Sequence, residues 1–365
     1  MTTHPHLVDA TVIGAGQAGL SAAYFLRRAG LAPESGYVVL DADRGPGGAW
    51  QHRWPSLHFD RAHAFHALPG MDLPDVDPTA PASAIVADYF ARYERRFDLP
   101  VHRPVRVTSV SETDDDRLLV HSDAGDWATR VLLNATGTWS RPFWPSYPGR
   151  ATFRGRQLHT ADYVRADEFA GQHVVVVGGG HSAVQLLAEI SAVTTTTWVT
   201  RRPPQWREGP FDERVGRAAV AMVEAAVRAG RRPSSVVSVT GLVHTPATLA
   251  ARDRGALHRL PMFDRITPDG VAWNDGRAVA ADVILWCTGF RSALDHLAPL
   301  HLRGPAGGIT MDGTQVARDP RIHLLGYGPT AHTIGANRAG RTVVRDVLQL
   351  LDRGRAGSAP ASVAA

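Results

Sequence analysis

Gly14-Ala15-Gly16-Gln17-Ala18-Gly19 follows the apolar run Thr11-Val12-Ile13 and leads into a stretch with helical spacing over residues 20–29, closed by Gly30. A second apolar strand over residues 37–40 ends on Asp41. Strand, glycine turn, helix, strand and acid stand in the order a dinucleotide site requires. Gly14, Gly16 and Gly19, with Gln17 and Ala18 between them, let the backbone approach a pyrophosphate whose charge sits at the helix N-terminus. Asp41 can accept hydrogen bonds from the adenosine ribose. A glycine-rich turn in some other α/β protein is the plainer reading, and the complete unit argues against it.

The arrangement recurs in mid-chain. An apolar strand over residues 173–177 enters Gly178-Gly179-Gly180-His181-Ser182-Ala183, a helix runs through Ile190, and a strand over residues 196–200 ends on Arg201-Arg202 rather than on an acid. An acid there favours a free ribose hydroxyl, whereas a basic pair suits a 2′-phosphate, so NADP(H) is favoured over NAD(H). The alternative is a pair of arginines solvated at a loop.

Composition narrows the chemistry further. A chain of 365 residues exceeds what one hydrophobic core organises, so two domains are expected. All 39 Lys+Arg residues are Arg. Schiff-base catalysis, pyridoxal phosphate anchoring and a P-loop lysine are therefore excluded. Cys287 is the single cysteine, which excludes an internal disulfide or a dithiol redox pair. The net charge of +4 is spread among interleaved Arg, Asp and Glu, so no nucleic-acid partner is expected. No apolar run approaches the roughly 20 residues of a membrane span, and Met1 to His6 lacks the order of a secretion signal, so a cytoplasmic protein is expected.

These units need supporting elements. Residues 85–97 read as an amphipathic helix after a Pro-rich loop over 69–81, and residues 105–110 and 118–121 alternate as a hairpin around Asp114 to Asp116. Residues 131–133 lead into Asn134-Ala135-Thr136-Gly137, and residues 282–286 repeat that ending in Cys287-Thr288-Gly289. An Ala-rich helix over 215–229 and a last helix over 336–351 precede a small-residue tail expected to be disordered. His63 and His66 have too few companions for a metal site, so no metal is expected. Cys287, behind an apolar strand, reads as a buried small hydrophobe.

The chain resembles the flavin-containing monooxygenases of compact bacterial type over nearly its whole length, from Asp9 to about Leu351. The resemblance rests on the Gly14-Gly16-Gly19 turn, Gly47-Gly48-Ala49-Trp50, Ala135-Thr136-Gly137, Gly178-Gly180-Ala183 and Cys287-Thr288-Gly289-Phe290. Its most specific part is the segment from Phe153 to Tyr163, which matches FxGxxxHxxx[FY] through Phe153, Gly155, His159 and Tyr163. The chain departs from the family with Asp41 for Glu, His181 for Asn, and Ser56-Leu57-His58-Phe59-Asp60 where Asn commonly follows a Ser-Leu pair.

The resemblance implies an α/β fold of two Rossmann-like dinucleotide-binding domains: an FAD domain over residues 1–152 plus 279–365, with an NAD(P)H domain inserted over 153–278. It implies FAD and NADP as cofactors, and cofactor contacts from both glycine turns, Asp41, Gly48, Trp50, Thr136, Gly137, Arg201, Arg202, Thr288 and Gly289. Asp60, His159 and Tyr163 are the expected catalytic residues, and Trp50, His52, Trp54, His58 and Phe59 are expected near the flavin face. Gly326-Tyr327-Gly328 and Gly335-Ala336-Asn337 fall where related folds bring a last helix to the flavin. The implied function is NADPH-dependent insertion of one oxygen atom from O₂ into a small molecule, foremost at nitrogen or sulfur, through a flavin C4a-hydroperoxide. Baeyer–Villiger oxygenation of ketones and a flavoprotein NADPH oxidase or reductase stay open, as does a homodimer.

Overall fold

The computed structural model describes residues 4–62, 65–207, 213–234 and 240–357. Among the described residues, one sheet has nine strands, a second five and a third three.

In the first sheet, β1 (His6–Ile13) lies between β2 (Tyr37–Leu40) and β6 (Gly125–Asn134), parallel to both. Strands buried on both faces read as continuous apolar runs, which is why Tyr37-Val38-Val39-Leu40 needs no alternation. β3 (Val101–His102) extends the sheet beyond β2, and β17 (Asp319–Leu324) joins β6 on the other side. The short β15 (Met311–Asp312) and β16 (Gln315–Val316) complete that edge. The antiparallel hairpin of β4 (Val107–Glu112) and β5 (Leu118–Ser122) continues into β6 around the expected Asp-rich turn.

Three helices cover one face of this sheet: α1 (Gln17–Arg28), α2 (Ala82–Arg96) and α6 (Thr333–Gly357). Leu20, Leu26, Phe90, Tyr93, Val343 and Val347 form the core there, while Ile13, Leu40, Val110, Leu294 and Leu324 fill the opposite face. α1 starts at Gln17 rather than at residue 20, because the glycine turn supplies the helix's first turn. α6 runs past residue 351 to Gly357, no proline intervening before Pro360. The remainder of the tail expected to be disordered, residues 358–365, lies outside the described residues.

The second sheet has the order β10-β9-β8-β14-β7, every neighbour parallel. Its members are β7 (Arg156–His159), β8 (Val174–Val177), β9 (Thr196–Thr200), β10 (Arg259–Pro261) and β14 (Val283–Trp286). β14 pairs with both β7 and β8, so this sheet extends past the boundary expected at residue 278, as far as Trp286. A parallel neighbour on each side satisfies a central strand that the sequence alone assigns to the other domain. α3 (His181–Ile190) connects β8 to β9, and α5 (Pro246–Asp253) packs beside α3. β11 (Arg265–Thr267), β12 (Gly270–Ala272) and β13 (Ala278–Ala280) form the small antiparallel sheet, and α4 (Glu213–Arg228) precedes it in the chain.

Candidate active site

The first glycine turn is held by close approach. Gly14 has φ +99°, and a Cβ there would lie 2.7 Å from the Ala135 carbonyl oxygen; a Cβ on Gly19 would overlap the Gly14 carbonyl oxygen. At Gly16 the nearest atom to such a Cβ is the Gly48 Cα at 3.9 Å, so the space above this glycine stays open. Gly48 itself, at φ +50°, admits no side chain against Gly16. α1 opens on Gly16 with no side-chain cap and no acid in its first turn. α3 opens on Gly180 in the same way, and a Cβ on Gly180 would meet nothing within 4 Å. Helix N-termini with uncapped N–H groups and an open glycine cradle suit phosphate oxygens, so both turns fit a dinucleotide pyrophosphate.

Asp41 directly follows β2 beside the first turn and is buried. Arg103 Nε donates to its Oδ2 at 2.8 Å, and the same guanidinium spans Glu94 with bonds of 2.9 and 3.0 Å. Burial pushes the Asp41 carboxyl above its ordinary range, while the Arg103 charge pulls the other way. The acid thus keeps one oxygen on a buried arginine. Sequence reading missed Arg103, whose partners lie 62 and 9 residues away in the chain.

Gln17 Nε2 donates to Asn337 Oδ1 at 2.9 Å and to the His66 carbonyl at 3.1 Å, which brings α6 to the first turn at the expected Asn337. The Ala18 and Ala183 side chains are buried at the two helix starts, and His181 and Ser182 are half-buried at the second. Trp50 packs edge-on to Phe65. Thr136 Oγ1 donates to the Ala293 carbonyl at 2.6 Å and Thr288 Oγ1 to that of Phe143, with Gly137 and Gly289 exposed beside them. Arg201 and Arg202 are exposed past the end of β9.

The three expected catalytic residues fall in different settings. Asp60 is exposed in a short turn after Phe59. His159 is fully buried at the end of β7: its Nδ1 accepts from Ala161 N–H at 3.1 Å and its Nε2 faces the Gly289 carbonyl at 3.0 Å. The proton therefore sits on Nε2, donating to that carbonyl, and burial lowers the ring's pKa so that it stays neutral. Tyr163 is buried as well, and its hydroxyl donates to Glu189 Oε2 at 2.9 Å. His159 and Tyr163 both spend their polar atoms on protein partners, and both lie in the Phe153–Tyr163 segment, the hinge by which the chain enters the second sheet. Glu189 on α3 also accepts from Ser56 Oγ at 2.6 Å and Trp54 Nε1 at 3.3 Å. A lone acid on a helix gave no signal of that convergence.

Among the described residues, no group of three or more His, Cys, Asp or Glu could hold a metal ion, and His63 lies outside those residues. No described helix is long and apolar enough to cross a membrane. Cys287 is buried, and burial pushes its thiol up to about 12. It cannot serve as a thiolate near neutral pH.

Two sheets, one wholly parallel and one with a parallel centre, each carrying a glycine turn at a strand's carboxyl end, define a two-dinucleotide oxidoreductase. The pyridine nucleotide-disulphide oxidoreductase family model matches residues 11–230. A flavin-containing monooxygenase from Stenotrophomonas maltophilia is 41% identical, covers 94% of this chain and 99% of its own, and superposes with a TM-score of 0.81. An uncharacterized oxidoreductase of Bacillus velezensis is 30% identical over 52% of this chain and 54% of its own length. A Baeyer-Villiger monooxygenase of Streptomyces coelicolor is 30% identical over 60% of this chain and 42% of its own. The chain spans about half the length of these curated relatives. It belongs to the pyridine nucleotide-disulphide oxidoreductase family and, within it, to the flavin-containing monooxygenases. The disulphide chemistry in the broader name has no dithiol here to carry it.

Proposed function

We propose that the protein is an FAD- and NADPH-dependent monooxygenase that inserts one oxygen atom of O₂ into a small molecule at nitrogen or sulfur. The observation that carries this reading is the pair of open, uncapped glycine turns, one on each of the two larger sheets. In this reading residues 1–152 and the chain after Trp286 hold FAD, and the segment between holds NADP(H).

Bound flavin would supply two-electron reduction by NADPH and the activation of O₂. The chain's own residues bind, orient and exclude water. Gly14, Gly16, Gln17, Ala18 and Gly19 take the first pyrophosphate, with Asp41 on the ribose and Gly48, Trp50, Thr136 and Gly137 along the cofactor. Gly178, Gly180, His181, Ser182 and Ala183 take the second pyrophosphate, and Arg201 and Arg202 take the 2′-phosphate. Thr288, Gly289 and His159 hold the junction, and Tyr163 with Glu189 fixes the hinge against the Trp54 loop. Rigid closure is what keeps a reactive oxygen species from water. Nitrogen and sulfur are preferred because the hinge motif ends on Tyr163, a preference that rests on family resemblance.

The test is product analysis by mass after incubating the purified protein with FAD, NADPH, O₂ and a panel of amines, sulfides and ketones. Gain of one oxygen on an amine or sulfide is expected. Oxygenation of ketones alone would assign Baeyer–Villiger chemistry. Stoichiometric hydrogen peroxide with no oxygenated product would assign an oxidase.

A further inference from the structure

Arg53 follows the Gly48–Trp50 turn, and its guanidinium has no carboxylate and no hydrogen-bond acceptor among the described residues. Its neighbours are aromatic. The guanidinium carbon lies 4.6 Å from the centre of the Trp139 ring and 5.9 Å from that of Trp50. Burial lowers this arginine to about 10, still charged at neutral pH. Desolvating a cation is costly, and folded proteins ordinarily offset the cost with an acid. The nearest comparable pair in the same turn, His52 with Asp43 at 3.0 Å, is already closed on itself.

The position is informative. Trp139 follows the Thr136-Gly137 ending of β6 and stacks at 4.9 Å on Phe290, which follows the Thr288-Gly289 ending of β14. Arg53 therefore stands where the carboxyl ends of β6 and β14, one parallel strand from each sheet, meet, the place where ligands of such folds lie. The phosphates of the two dinucleotides have other donors: the N-termini of α1 and α3, and Arg201 with Arg202. A guanidinium steadied against a ring keeps its N–H edge for a planar two-oxygen acceptor.

We propose that Arg53 is a substrate anchor that receives a carboxylate, so that the protein oxygenates small molecules bearing a carboxylate rather than neutral ones. The proposal rests on the monooxygenase reading for what happens to the bound molecule, but the anchoring itself is separable from turnover.

Calorimetric titration of the full-length protein reconstituted with FAD, using benzoate and its neutral counterpart benzamide, tests the anchor without catalysis. Benzoate should bind about ten- to a hundredfold more tightly, and Arg53→Met should bring the two together. FAD content and KM for NADPH should change by less than about twofold in that variant, since the lost contact is worth its tenfold or more only to the carboxylate. Equal binding of benzoate and benzamide by the wild type overturns the proposal, as does a preference that survives Arg53→Met. A variant that loses FAD or NADPH affinity instead assigns Arg53 to a cofactor phosphate and also overturns it. Turnover of 4-(methylthio)benzoate against methyl phenyl sulfide forms the second arm. If neither sulfide is oxygenated while the benzoate preference depends on Arg53, sulfur oxygenation fails and the anchor stands.

Discussion

The hydroxyl of Tyr163 donates to the Glu189 carboxylate at 2.9 Å, and through that carboxylate the hinge is tied to Ser56 and Trp54 in the loop that follows the Gly48–Trp50 turn. One acid on a helix of the second sheet thus fastens two other segments through three donors. Its loss orphans three donors at once.

A buried donor left without a partner costs about 1–3 kcal/mol, so Glu189→Ala should lower the unfolding free energy by about 3 kcal/mol, while Tyr163→Phe should cost about 1 kcal/mol. Urea denaturation of the reconstituted protein measures both. With the hinge loosened, a larger share of NADPH oxidation in Glu189→Ala should appear as hydrogen peroxide. Wild-type stability and coupling in that variant would show that the three contacts do not hold the halves together.

Gly16 and Gly19 should separate cofactor binding from folding. The added Cβ of Gly19→Ala overlaps the Gly14 carbonyl, so this variant should be insoluble or unfolded by circular dichroism. Gly16→Ala meets only an ordinary contact to Gly48 and should fold, yet lose FAD absorbance because the methyl group enters the open cradle. A yellow Gly16→Ala protein with wild-type affinity would move the pyrophosphate elsewhere.

Arg201→Ala with Arg202→Ala should raise KM for NADPH by about ten- to a hundredfold and leave KM for NADH nearly unchanged, the loss of one or two charge-assisted hydrogen bonds. Both arginines are exposed, so the fold should not suffer. Steady-state kinetics with both nucleotides decide the matter, and equal losses would point to a supporting role.

His323, fully buried on β17, bonds Thr314 through Nδ1 at 3.1 Å, and its Nε2 has no partner among the described residues. Burial pushes its pKa down to about 4, against about 6.5 in the unfolded chain. Between those values the unfolded chain binds a proton that the folded chain refuses, so stability falls as pH drops from about 6.5 toward 4. The loss at this site should reach about 2 kcal/mol between pH 7 and pH 5. Urea unfolding at the two pH values should show a smaller difference in His323→Gln. An unchanged difference would place the acid sensitivity elsewhere.

The sequence by itself determined the two dinucleotide units and much of the architecture around them. Their signals are local: apolar runs set strands, glycines mark turns where a Cβ would collide, and helical spacing follows directly, so neighbouring residues carry the information. The strand over residues 196–200 and the hairpin around Asp114 to Asp116 were legible for that reason. Only the tertiary structure decided which polar groups are spent internally. His159 reaches Gly289 across 130 residues, Glu189 meets Ser56 across 133, and Asp41 receives Arg103 across 62. No periodicity links such partners. The same holds for β14, assigned to the second sheet by neighbours on both sides, and for Arg53, whose want of an acid among the described residues shows only in what packs around it. Whether a charge is paired is a property of its surroundings, and those are assembled by packing between segments far apart in the chain.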